Sequence, residues 1–439
     1  MLIERKDSLT VRKRSELSSK HGFRSLVVLI GLLFLVVLLS VLLGQRYISR
    51  DKISNLAYAH GFNSFGEGSV RTAVFEAPQN WLKSKNLQTL NIDIKFKDFQ
   101  KLERKRKEAI NQGILIAGKD DFVPAEIRVG KETVKVKLRL KGDWVDHLKG
   151  KKWSFRIHVE GKNHIFGYRR FSIQHPSTRG YQGEKLFYDT LTQFDVLTPG
   201  YSFAQVKVNG LDIGVMAIEE HFSKELLEAN QRKESVILKY DDTKVWASRK
   251  ARRSIEEVLP LENHHNIPVD AFRTSKILAS DRLSRDYAVA ASLLIGFSQN
   301  EIAASEVFDV KLLAGFLAAT ELWGAAHGLG FNQRFYYNPL TARLEPIAFD
   351  MNVNENSYRV GQLLTAIANE QQKQILLDEA IYRAYVESLT MLIESVRSGE
   401  LITLLKQKEN GYLNDLHSEY FLLGRFPFNK IVERAEYLS

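Results

Sequence analysis

Apolar and polar positions alternate along several stretches of the chain and fall into helical spacing along others. Leu90, Ile92, Ile94 and Phe96 alternate with Asn91, Asp93 and Lys95, the period of a half-buried strand. The same period runs through residues 125–129, 134–140 and 153–159, with a shorter strand at 170–174. Residues 203–208 and 213–218 flank Asn209-Gly210, the pair a two-residue hairpin turn favours because both tolerate positive φ. Residues 98–112 predict a charged helix that Gly113 ends. Residues 182–194 predict another, with Leu186, Phe187, Thr190 and Leu191 on one face. A further helix starts at Ser223, and from about Pro260 the pattern is helical, interrupted by one hairpin. That hairpin joins residues 334–337 to 344–349 through a turn at Asn338-Pro339. The order predicts an α+β domain over residues 87–439, with a β-rich lobe at about 87–222 and a helical lobe at about 223–439.

The first 86 residues follow other patterns. Residues 26–44 carry no charge, and nineteen residues of helix span about 28 Å, close to a bilayer's hydrocarbon core. The segment ends in Leu42-Leu43-Gly44-Gln45, a poor cleavage site, so residues 25–44 are expected to be an uncleaved transmembrane helix. Seven Lys and Arg precede it in a basic tail, residues 1–24, which places the N-terminus in the cytoplasm. The expectation is a single-pass protein of the inner (plasma) membrane, with its main domain extracytoplasmic. Gly and Ser interrupt residues 45–86, which read as a stalk.

Composition narrows the function classes. An apolar fraction of 44% and a charged fraction of 26% describe a globular chain. Cysteine is absent, which excludes disulfides and thiolate metal sites. The net charge of +10 suits an anionic partner. The basic run from Lys101 to Lys107 is not read as a nucleic-acid surface: Glu103 and Glu108 flank its charges and no aromatic residues accompany it.

The chemistry concentrates at residues 327–354, around the late hairpin. His327 and Asn332 precede its first strand, and Asp350 and Asn352 follow its second. Kinase sites place a base and a metal-binding Asn on one loop, and a metal-binding Asp at the end of the next hairpin. The spacing from His327 to Asn332 equals that from base to Asn in the kinase catalytic loop. An acid closing an apolar strand either caps a turn or ligates a cation, and the hairpin context favours Asp350 as a Mg²⁺ ligand. Lys152 and Arg156 are candidates to steady phosphates, with Lys185 as another. Glu184 is placed to pair with such a lysine, and Glu219 and Glu220 to meet adenine or ribose or to cap the next helix.

Several of these segments together resemble the CotH (spore-coat protein H) kinase family, a divergent branch of the protein-kinase-like fold. LNIDIKFKDF at 90–99 resembles its opening strand and helix, VKLRLKG at 136–142 its R-x-R-G strand, and KKWSFRI at 151–157 its K-K-P-Y-R-I-K-F strand. VKVNGLDIGVMAIE at 206–219 resembles its N-G hairpin, with Met216 where Tyr is usual. Residues 332–352 resemble its N-x-x-x-Y … P-W-D-x-D hairpin. The likeness covers roughly residues 88–425 and implies a two-lobed atypical protein-kinase-like domain. It implies binding of ATP with Mg²⁺ or Mn²⁺ and phosphorylation of hydroxyls on an exported protein or envelope polymer. The chain departs from the pattern at His327, where the family has Asp, at Asn352, where it has a second acid, and at Phe349, where it has Trp. His327 stands open between a general base, the mark of a lost activity, and a packing residue. The alternative function is an inactive pseudokinase serving envelope or surface-polymer assembly, favoured by the scarcity of ATP outside the cytoplasm. A third reading keeps the fold with another anionic donor, such as polyphosphate.

Overall fold

The alternating segments of the first half form seven strands that close on themselves. These are β1 (Thr89–Asp93), β2 (Val123–Val129), β3 (Glu132–Leu140), β4 (Phe155–Val159), β5 (Arg170–Gln174), β6 (Tyr201–Val208) and β7 (Leu211–Glu220). The computed structural model describes residues 76–83, 87–241, 246, 268–329, 332–353 and 370–439. The strands hydrogen-bond in the order β1-β2-β3-β4-β5-β7-β6, and β6 pairs in parallel with β1, Leu90 opposite Val206. Closure satisfies the edge groups that an open sheet leaves bare. One residue in two points inward. Leu90, Ile127, Leu138, Ile157, Phe171 and Ile218 are fully buried in one core, each contributing about 1.5–3 kcal/mol by leaving water. Asn209 (φ 49°) and Gly210 (φ 80°) make the tight turn between β6 and β7. Helix α1 (Phe96–Gln112) adds Leu102 and Ala109 to this core and ends at Gly113, whose φ of 79° suits the left-handed cap.

A second sheet and a set of helices make up the remainder. Helix α2 (Gly183–Leu191) lies between β5 and β6 in sequence. The sheet has the order β11-β10-β8-β9, from β8 (Ile237–Tyr240), β9 (Val269–Ala271), β10 (Arg334–Asn338) and β11 (Arg343–Ile347), all antiparallel. The longer helices are α3 (Asp281–Ser298), α4 (Val310–Trp323), α5 (Glu379–Arg397), α6 (Glu400–Leu416) and α7 (Phe428–Leu438). Helix α4 is apolar on nearly every face, and each residue from Leu313 to Trp323 is buried, which makes it the centre of the helical part. Its buried Glu321 pairs with Arg434 of α7, fixing the C-terminus.

Two expectations are corrected here. The first is the two-lobed kinase-like fold behind a membrane helix. The strands read as a β-rich lobe form a closed seven-stranded barrel, and the part read as helical contains a four-stranded sheet. Alternation reports which face of a strand is buried; it does not report whether the sheet's edges meet. The second is the inner-membrane placement. Among the described residues no helix is long and apolar enough to cross a membrane. The span at 25–44 and the tail at 1–24 lie outside the described residues. That placement rests on the apolar run and the charges before it, and no described helix supports it.

Candidate active site

The outward face of the barrel is the starting point, because its polar positions form a row. Arg139 of β3 stands opposite Arg156 of β4, Arg156 opposite Ser172 of β5, and Ser172 opposite Glu219 of β7. Leu138, Phe155, Ile157, Phe171, Ile173 and Ile218, beside them along the same strands, belong to the barrel core, so period two puts this row on one outer face. Lys141, two residues beyond Arg139, joins it: its Nζ donates to Glu219 at 3.0 Å and to Gln174. The Nε atoms of Arg139 and Arg156 and the hydroxyl of Ser172 are buried and have no hydrogen-bond partner among the described residues. Two guanidinium groups directly opposed across strands repel each other. Burial first, and Arg139 second, bring Arg156 down to about 9.

From this row a chain of alternating charges crosses to the late hairpin. Lys141 pairs with Glu219, Glu219 with Arg179 at 3.2 Å, and Arg179 with Asp350 at 2.7 Å. Arg179 sits at the end of a short 3₁₀ turn, Pro176–Arg179, whose Ser177 N–H donates to the ring of His175. Burial alone would raise Glu219, but Lys141 and Arg179 beside it outweigh that and hold it at about 2. Burial draws Lys141 down to about 8, with Glu219 opposing.

The hairpin β10–β11 brings its own polar residues to the same place. Arg334 pairs with Ile347, so Asn332 before β10 and Asp350 after β11 lie at the same end. His327, on a 3₁₀ turn, places Nε2 3.7 Å from Asp350 Oδ1 and is half exposed. Asn332 donates to the carbonyl of His327 at 3.2 Å. Asp350 (φ 56°) and Asn352 (φ 51°) both adopt left-handed backbone, a conformation that costs about 1 kcal/mol each outside glycine. Below them lies the start of α2. Glu184, fully buried, accepts from the N–H of Met351 at 3.0 Å and of Asn352 at 3.1 Å, and from the Tyr188 hydroxyl at 2.8 Å. Burial pushes Glu184 up to about 7, against the pull of Arg179.

Barrel face and hairpin end enclose a cleft of about 520 Å³. Arg139, Lys141, Arg156, Arg179 and Arg334 line it together with His327, Asn332, Asp350 and Asn352. Aromatic walls come from Trp144, Trp246, Phe222, Phe272 and Phe349. The guanidinium of Arg334 lies 5.6–6.0 Å from the ring centres of Phe222, Phe272 and Phe349. Five cations outnumber the acids of the lining, Asp143, Asp146 and Asp350, so the cleft suits an anionic ligand.

Residues 138–386, more than half of the chain, match the CotH kinase protein family. The chain belongs to the CotH kinase family. No curated protein matches it significantly. Membership brings a kinase-like function and the use of ATP as the family's expectation, and the cleft can be tested against both. For the nucleotide the residues fit, since Arg139 and Arg156 line the cleft and their Nε atoms have no partner among the described residues. For the cation they fit on one condition. Among the described residues no group of three or more His, Asp or Glu is arranged to hold a metal ion. One carboxylate, Asp350, with the amides of Asn332 and Asn352 suits Mg²⁺ that arrives with phosphate oxygens in its own shell.

The structure of this CotH chain sorts the residues expected from sequence. His327, Asn332, Asp350, Asn352 and Arg156 share the cleft. Lys152 does not line it: its Nζ holds Glu419 at 2.7 Å, the Tyr420 hydroxyl at 2.8 Å and the Val215 carbonyl at 2.9 Å. Glu184 meets backbone N–H groups where a lysine partner is expected. Glu219 is the lysine's partner instead, and it is buried beneath the cleft. Lys185 pairs with Asp189 on its own helix, and Glu220 accepts from Gly200 N at 3.0 Å. Arg139, Lys141, Arg179 and Arg334 are missed. Arg139 and Lys141 carry a signal in the sequence, for they hold the two basic positions of the R-x-R-G strand. Arg179 lies in a turn without a motif to mark it.

Proposed function

We propose that the cleft binds the triphosphate of ATP with a divalent cation and transfers its terminal phosphoryl group to a protein hydroxyl. The observation that carries this is the opposed pair Arg139 and Arg156, which line the cleft and whose Nε atoms have no partner among the described residues. On this reading Arg139, Arg156 and Lys141, which line the cleft, hold phosphate oxygens. Asp350 would be the cation's carboxylate ligand, with Asn332 and Asn352 offering amide oxygens, and a cation held there would supply charge neutralisation for the transferring group. Arg179, which pairs with Asp350, would be released to phosphate if a cation took that carboxylate, and its guanidinium fork is well shaped for phosphate. His327 accepts the proton of the attacking hydroxyl; being half exposed, it stands where an acceptor can enter.

A second reading, phosphate binding without transfer, is favoured by one contact: Arg179 already occupies the carboxylate that a cation needs. The two readings separate in one experiment. The protein is incubated with labelled ATP and Mg²⁺ or Mn²⁺, and label on protein is measured beside calorimetric binding. Transfer that disappears in Asp350→Ala, with ATP binding in EDTA retained, supports the kinase. Binding without transfer in the wild type supports the second reading, and absence of binding overturns both.

A further inference from the structure

The loop after β11 is held in an unusual way. Asp350 and Asn352 are both left-handed, and Met351 between them is fully buried. Such conformations persist where the surroundings over-determine them. Three features of α2 and its neighbours do so. Gly183 lets the loop approach so closely that a Cβ there would lie 2.3 Å from the carbonyl oxygen of Val353. Gly328 makes room for Met351 in the same manner. Glu184, the next residue of α2, spends one oxygen on each of two successive N–H groups, those of Met351 and Asn352. Successive N–H groups converging on one anion form a nest, and here the anion is a side chain of the protein itself. Tyr188, one turn along the helix, orients the carboxylate through its hydroxyl.

We propose that Glu184 is the positioning residue of the cation site: its carboxylate holds the backbone of Met351 and Asn352 and so presents Asp350 and Asn352 toward the cleft. The inference rests on the nucleotide–cation reading above and assigns Glu184 no contact with nucleotide or cation. A glutamine has the same shape but only one acceptor oxygen, so it satisfies one N–H and leaves the other buried and unpaired. Phosphate held by Arg139, Arg156 and Lys141 does not depend on this clamp.

The test measures ATP affinity by calorimetry on the full chain, in EDTA and in Mg²⁺, and follows Mn²⁺ by its EPR spectrum with ATP present. In the wild type the cation is expected to tighten ATP binding at least tenfold, with a protein-bound Mn²⁺ signal. In Glu184→Gln that gain is expected to fall to less than twofold and the bound Mn²⁺ signal to broaden, while affinity in EDTA stays within twofold. Tyr188→Phe keeps the clamp but loses its orienting hydroxyl, and an intermediate gain is expected; it also serves where the glutamine variant does not fold. An unchanged cation gain in the variants overturns the proposal. So does an equal loss with and without cation, the mark of a merely structural role. A wild type that binds ATP without any cation gain overturns the positioning role alone, whereas a wild type that does not bind ATP overturns the reading of the cleft as well.

Discussion

Arg139 and Arg156 face each other across β3 and β4 at a place where a neutral pair would stabilise the barrel more. Directly opposed like charges cost about 0.2–1 kcal/mol, and an arriving phosphate turns that cost into attraction. Arg156→Met is therefore expected to raise the melting temperature of the ligand-free protein by about 1 °C while weakening ATP binding by about tenfold or more. Thermal unfolding and calorimetry on the same variant check both halves. The sequence shows part of this site for a physical reason. Asp350, Asn332 and His327 sit at the end of a hairpin that local spacing already defines, so the turn brings them together. The alternation of β3 and β4 marks Val136, Leu138 and Ile157 as core. It leaves Arg139 looking like a solvent residue, because what covers the other face is set by segments far along the chain.

At the scale of elements, the turn Pro176–Arg179 shows how a cleft residue is held. Pro176 suits the first position of the turn, and the Nδ1 of His175 accepts from Ser177 N at 3.1 Å, which requires that nitrogen to be unprotonated. Burial, and then Lys152, push His175 down to about 3. In the unfolded chain a histidine takes its proton near 6.5, so between about 6.5 and 3 the unfolded state binds more protons. The stability this group contributes is whole above about 6.5 and is lost as pH falls toward 3. Urea midpoints measured from pH 7 to pH 4 are expected to fall more steeply in the wild type than in His175→Gln; parallel slopes would remove His175 from the account. Helices α1 and α2 were legible from their periodicity and from Gly113. Strands β8 and β9 were not, since four and three residues are too short to show a period, and they form only by pairing with β10 and with each other.

Across the molecule, Lys152 ties the barrel to the segment after α6. It reaches Glu419, which also accepts from Val215 N at 2.5 Å, and Gly214 permits that approach because a Cβ would meet the Glu419 carboxylate at 2.2 Å. Lys152→Met is expected to cost about 1–2 kcal/mol in urea unfolding, reduced from a fully buried charge pair by the exposure of Glu419, and to leave ATP binding within twofold. The parallel pairing of β1 with β6 has a consequence for how the chain is made. Leu90 finds Val206 only after every strand between them exists, so closure is a late, non-local event. At ribosomal speeds of about 5–20 residues per second, β1 waits on the order of ten seconds with one edge bare after β2 has been synthesised. During that interval the nascent chain offers a strand edge to any neighbour, and a chaperone that shields it until Val208 emerges protects the cleft before the cleft exists.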